Sequence, residues 1–231
     1  MIRFLQLSAS DYGHHRSTLG DRQLTWPQRD ATIQDRTIGF RHEASQTYDT
    51  QRCHFRTLDI KKGRLVAIPQ ALLALAGFAF AHATWSVSDL PSGEMLVPLA
   101  IVEQSGLREL LRFEAESQEQ AISEGKETLA RHEGQFDAWA YAREGQVKEG
   151  DRYIDVLTVE AKARGDRASI VFVQRFQPFS SGSFRLLGVP IVAIDGRALP
   201  EAEAQSYLAG LYVGIQSHSK AAEHWRDWSS Q

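Results

Sequence analysis

One cysteine, Cys53, is all the thiol this 231-residue chain contains, which excludes an internal disulfide and any zinc site built on several cysteines. Such scarcity fits a reducing cytoplasm. As a nucleophile Cys53 would need a histidine base and an orienting carboxylate or amide held close by, and adjacency to His54 in sequence does not supply that geometry. A small apolar residue is the plainer expectation. The histidines His14, His15, His42 and His54 lack the two- to five-residue spacings of metal ligands, apart from His14–His15, which cannot point one way on a regular element. No glycine-flanked serine elbow is present either, and Ser180-Ser181-Gly182-Ser183 reads as a flexible link.

Long apolar runs are missing too. The uninterrupted apolar core of residues 71–81 is 11 residues long, against about 20 for a membrane-spanning helix. Lys61, Lys62 and Arg64 ahead of this run, with Ala81-His82-Ala83 after it, imitate a secretory signal, yet they stand about sixty residues into the chain. A buried helix is expected and a membrane is not. Nor is there the basic excess of a dedicated nucleic-acid binder, because the net charge is −3 and the pI about 6.2. The charge is uneven, with 11 Lys/Arg against 7 Asp/Glu in residues 1–64 and 15 against 22 in residues 65–231. A basic arm dotted with aromatics can hold nucleic acid, but a solvated tail is the plainer expectation, and nucleic acid is not expected as a partner.

What is present divides the chain in two. Residues 1–64 are polar and show no helical or strand period, so they are expected to form a loosely ordered arm. Residues 65–231 carry enough apolar residues for one domain with a sizeable core. Its first helix should begin near Pro69, where the missing N–H costs nothing. From 81 to 88 the residues alternate, Ala81, Ala83, Trp85 and Val87 against His82, Thr84, Ser86 and Ser88, which predicts a half-buried strand with His82 on its polar side. Further strands are expected over 94–103 and 107–116, joined by a hairpin at Gln104-Ser105-Gly106, with Leu111, Phe113 and Ala115 turned inward.

The clearest local signals lie in the stretch 117–178. Ser117 and Gln120 form a capping-box pattern, Glu119 suits the positive end of the helix dipole, and Gly134 offers a left-handed stop. Ile122, Gly125 and Leu129 make a narrow apolar stripe. Three strands follow. In the first, Asp137, Trp139, Tyr141 and Arg143 share one face, and Phe136, Ala138, Ala140 and Ala142 make a small-residue face on which a helix can sit. In the second, Ile154, Val156, Thr158, Glu160 and Lys162 point together. After 178 come another strand or pair, a turn at Asp195-Gly196, and a helix starting at Pro200 with Leu208, Leu211, Tyr212 and Ile215 at helical spacing. Short connections imply an antiparallel sheet, so the fold class is α+β: a mostly antiparallel sheet with helices packed on one face. The segments 81–133 and 136–217 suggest a duplicated βββα unit.

A carboxylate on one strand and Glu-x-Lys on the next can hold Mg²⁺ and place an ammonium beside an attacking water. With the order helix, three strands, helix, these residues resemble the core of the PD-(D/E)XK nuclease superfamily. The resemblance implies Asp137 and Glu160 as metal ligands, Lys162 as the catalytic amine and Mg²⁺ as cofactor. Phe136 in place of the family's proline, and the aromatics Trp139 and Tyr141 beside Asp137, depart from that pattern. Near the end of the chain, Trp225 and Trp228 are three apart and share a side, as the edge of a core or as an interface anchor. His218 and His224 are six apart and point to opposed sides of a helix. Two functions follow as expectations: a non-catalytic binding or adaptor module whose partner is another protein or a second copy, and, as the alternative, a metal-dependent phosphodiesterase.

Overall fold

The computed structural model describes residues 56–59 and 64–229, the first two strands through their backbone. Most of the expected arm, and with it Cys53, His14, His15, His42 and His54, lies outside the described residues. What is described of it enters an antiparallel pair, β1 (Arg56–Asp59) with β2 (Arg64–Ala67).

Helix α1 (Gln70–Val87) follows, opened by Pro69 in an extended conformation. It corrects the expected strand over 81–88. Phe80, Ala83, Thr84 and Val87 are all buried, and they stand at i, i+3, i+4 and i+7, the helical period. Alanine is the best helix former, and Ser86 donates its hydroxyl to the His82 carbonyl one turn back at 2.8 Å. The alternation of small residues was therefore fortuitous. The whole helix is long and apolar enough to cross a bilayer, but 61% of that window is buried inside the molecule, as befits a helix that is apolar nearly all round.

Strands β3 (Leu99–Gln104) and β4 (Leu107–Arg112), helix α2 (Gln118–Arg131), and strands β5 (Ala138–Glu149), β6 (Arg152–Ala163), β7 (Ile170–Gln177), β8 (Arg185–Ile194) and β9 (Arg197–Ala198) come next. Helices α3 (Glu201–Gln216) and α4 (Ser219–Ser229) close the chain. The sheet has seven strands in the order β4-β3-β5-β6-β7-β8-β9, every neighbouring pair antiparallel. This is the α+β architecture expected. Ser105 and Gly106 (φ 52° and 79°), like Asp195 and Gly196 (φ 50° and 74°), place two left-handed residues in succession, the geometry that matches a tight hairpin to strand twist.

Helices α1, α3 and α4 cover one face. Ala138, Ala140 and Ala142 of β5 belong to the main core with Leu73, Leu75 and Ala76 of α1, and their short side chains let that helix approach. Helix α2 departs from the expectation that the helices share one face: it lies over the other, where Leu129 and the β-strand residues Ala100, Val102 and Tyr141 form a second, smaller core with Phe113. At its start the Ser117 hydroxyl accepts the Gln120 N–H at 3.2 Å, while the Gln120 side chain turns to Glu124 at 2.8 Å, so only half of a capping box forms. His132, not Gly134, ends the helix, its N–H bonding back to Thr128. The segments 81–133 and 136–217 do not repeat one another: the first holds two strands before its helix and the second holds five.

Candidate functional site

The β5–β6 hairpin turns at Gly150-Asp151, and its register sets Tyr141 opposite Glu160 and Trp139 opposite Lys162. On either side Val102 pairs with Trp139 and Ala161 with Ile170, and Ile170 pairs with Ile194. Continued by one residue, these registers make a cross-strand row, Val102–Trp139–Lys162–Ser169–Asp195, on the face away from α1. Beside it runs a second row, Ala100–Tyr141–Glu160–Val171–Ala193. Helix α2 stands over one end of both rows. The outcome is a cleft of about 360 Å³ with Trp139, Tyr141, Glu160, Lys162, Ser169 and Asp195 as floor, Lys126, Leu129 and Ala130 of α2 with Glu133 of the turn after it as wall, and Arg167 at the rim.

The electrostatics of the cleft are mixed. Lys162 is ion-paired to Glu133, and this pair ties the sheet to the last turn-and-a-half of chain around the end of α2. Asp166 faces Lys162 from the following turn, its carboxyl raised above the usual range by burial against the pull of that lysine, and its Oδ2 has no hydrogen-bond partner. The phenol of Tyr141 donates to the Ile122 carbonyl at 3.3 Å. Burial lifts its pKa above the ordinary value, with Arg143 opposing and Glu160 adding to the shift. Arg143, next along the same face, has its pKa lowered by burial, opposed by Tyr141 and Glu160. Gly125 is what lets α2 come this close: a Cβ there would lie 2.8 Å from the Tyr141 hydroxyl.

Of the three residues suggested as a metal site, Glu160 and Lys162 share this cleft and Asp137 does not join them. The Arg164 N–H bonds to the Asp137 carbonyl at 2.8 Å, which sets these two opposite each other, four residues along the ladder from the Tyr141–Glu160 pair, roughly 13 Å of strand. An ion needs its carboxylate oxygens at about 2–2.5 Å, so Asp137 and Glu160 cannot share one. The Asp137 carboxylate has another task. Its Oδ2 accepts the Ser105 N–H at 2.6 Å and its Oδ1 pairs with Arg164 at 3.0 Å, which anchors the β3–β4 hairpin to the start of β5. Among the described residues no three His, Cys, Asp or Glu side chains gather as metal ligands.

Trp225 and Trp228 meet the core edge. Trp225 sits edge-on to Phe80 at 5.6 Å, Trp228 edge-on to Phe184 at 5.6 Å, and the two indoles lie 6.2 Å apart. Trp225 is 9% exposed. A smaller hollow of about 220 Å³ beside it is lined by Gln174, Leu186, Val189, Pro190 and Tyr212.

Sequence reasoning found the floor residues of β5 and β6 through their alternation. It missed Lys126, Glu133, Arg167, Ser169 and Asp195. The available signal was the tight turn after Ala163, which returns Ser169 to the level of Lys162. Comparison of the chain with protein-family models, with curated proteins and with solved structures finds no match.

Proposed function

We propose that the chain is a non-catalytic binding module that holds a charged peptide segment, carrying an aromatic side chain, in the cleft between α2 and the open sheet face. The observation that carries this reading is the composition of the cleft: one indole and six charged side chains, three of each sign, around about 360 Å³. Lys162 and Glu133 engage each other. That leaves Lys126 and Arg167 for a carboxylate, Glu160 and Asp195 for an ammonium or guanidinium, and Trp139 as a stacking surface. The volume falls within the range of about 300–1,000 Å³ usual for ligand pockets. The lining contains no histidine and no cysteine, so neither a serine–histidine nor a cysteine–histidine nucleophile pair is among its residues. A partner protein or a second copy in a reducing cytoplasm is the natural source of such a segment.

The test is a titration of the ¹⁵N-labelled protein with short peptides holding Lys, Asp and Trp, against nucleotides and oligonucleotides with Mg²⁺ as the other arm. Saturable shifts at the Trp139 indole N–H, weakened at least tenfold in Glu160→Gln, are expected from the peptides. Shifts from the oligonucleotides with cleavage, or a silent cleft in both arms, would defeat the reading.

A further inference from the structure

On the opposite side of the sheet, at the junction of α3 and α4, two histidines 136 positions apart in sequence are hydrogen-bonded ring to ring. His82 of α1 and His218, the residue before α4, meet Nδ1 to Nε2 at 3.1 Å. His218 also heads α4, its Nδ1 accepting the Ala221 N–H at 3.2 Å and its carbonyl accepting the Ala222 N–H at 2.9 Å. These bonds fix both tautomers. Since His218 Nδ1 is an acceptor, its proton is on Nε2 and points at His82 Nδ1; His82 then carries its own proton on Nε2, an atom that is buried with no partner.

The two basic lone pairs of the couple, His218 Nδ1 and His82 Nδ1, are thus both occupied as acceptors. A proton can enter only by breaking the cap of α4 or the link between α1 and α4. The surroundings add to that resistance. Phe78 and Trp85 stand against the rings, at 5.0 Å from His218 and 5.9 Å from His82. From β4, Arg112 repels a charge on His82 and Arg108 lies 5.3 Å over the Phe78 ring. Among the described residues no carboxylate is ion-paired to either imidazole. A shared metal ion fits poorly, because a ligating His218 Nε2 would require its Nδ1 to donate a proton, where the Ala221 N–H already stands.

We propose that His82 and His218 form an acid-sensitive latch, which holds α4 against α1 at neutral pH and releases it when a proton enters the pair. Release uncovers the surface on which α4 lies, including Phe80 and Phe184 beneath Trp225 and Trp228. The direction of titration agrees. Burial, then His218 and Arg112, bring His82 down to about 4, and burial also lowers His218. Groups whose folded pKa is depressed below an unfolded value of about 6.5 lose their contribution as the pH falls from there.

Amide hydrogen exchange of the full chain tests this between pH 7.5 and 4.5. Protection factors of α4, corrected for intrinsic rates, should hold steady down to about pH 6.5 and then fall by up to about tenfold per pH unit for each histidine that takes up a proton, while those of β5 and β6 change less. In the double variant His82→Gln, His218→Asn, in which asparagine keeps a capping oxygen, α4 protection should be level across the range. Level protection in the wild type, or the same fall in the double variant, overturns the latch. Should that variant fail to fold, side-chain ¹⁵N spectra of the wild type decide: both rings neutral with protonated Nε2 at pH 6 is the expected result, and an imidazolium on either at that pH refutes it.

Discussion

At Glu144 burial and hydrogen bonding pull in opposite directions. The side chain accepts the Leu96 N–H at 2.8 Å, which favours the carboxylate, but burial outweighs it, Asp155 adds to it, and the pKa is pushed up to about 7. A carboxyl whose folded pKa stands above its unfolded value binds its proton more tightly when folded, so its contribution is lost as pH rises from about 4.5 to about 7. Glu144→Gln keeps an acceptor for Leu96 without a charge. Chemical denaturation should find the variant more stable than the wild type at pH 8 and close to it at pH 4.5; equal stability at pH 8 would place the carboxylate in water. Asp137 is the contrasting case, an exposed carboxylate that does structural work. Asp137→Asn should cost about 1 kcal/mol in a denaturant titration and leave Mg²⁺ binding unaltered, whereas a changed Mg²⁺ affinity would restore the metal reading. Which side chains share a face on β5 and β6 was legible, because strand alternation has period 2 without ambiguity. Which residues face each other was not. Strand β5 runs to Glu149 and only Gly150 and Asp151 turn, and it is the position of that turn, which alternation does not report, that sets Asp137 opposite Arg164.

Between α1 and α3 the contact is made by backbone. A Cβ on Gly77 would lie 1.9 Å from the Leu211 carbonyl oxygen, and one on Gly214 would lie 2.0 Å from that of Ala74. Neither neighbour is a flexible side chain, so a methyl can be admitted only by moving the helices apart. Gly77→Ala and Gly214→Ala should each cost about 3 kcal/mol, a fall in Tm of roughly 10 °C for a domain of this size. Gly134→Ala serves as control, since nothing lies within 4 Å of its Cβ position, and it should be neutral or stabilising by about 0.5 kcal/mol. Melting curves of the three variants settle the matter, and a mild Gly77→Ala would mean the helices have room that the geometry denies them. The apolar run announced α1 but understated it. Its last turns hold Ala, Thr, Ser and His, and α1 is covered by α3 and α4, which arrive more than 110 residues later, as well as by β5 and β6, and no local pattern reports that. The break between α3 and α4 was likewise hidden, because Ser217 and His218 end one helix and cap the next through bonds that only the fold creates.

For the whole molecule the two kinds of buried titration oppose each other. Between about pH 4.5 and 6.5 the histidine pair makes stability rise with pH, since the unfolded chain binds the proton and the folded one does not. Over nearly the same window Glu144 makes it fall, for the reverse reason. The net profile of the wild type should therefore be flatter than either component, even though α4 loses its own protection within it, because α4 release is a local event and Glu144 acts through the core beside Leu96. Removing one component exposes the other. Denaturant midpoints of Glu144→Gln should fall steadily as the pH drops below about 6.5, and those of the double variant His82→Gln, His218→Asn, in which the pair no longer titrates, should rise over the same interval. Both slopes are limited to about 1.4 kcal/mol per pH unit for each group. If the two variants keep parallel profiles, the shifts at the two sites do not arise from separate burial, and a common rearrangement of the sheet end and the α3–α4 junction must couple them.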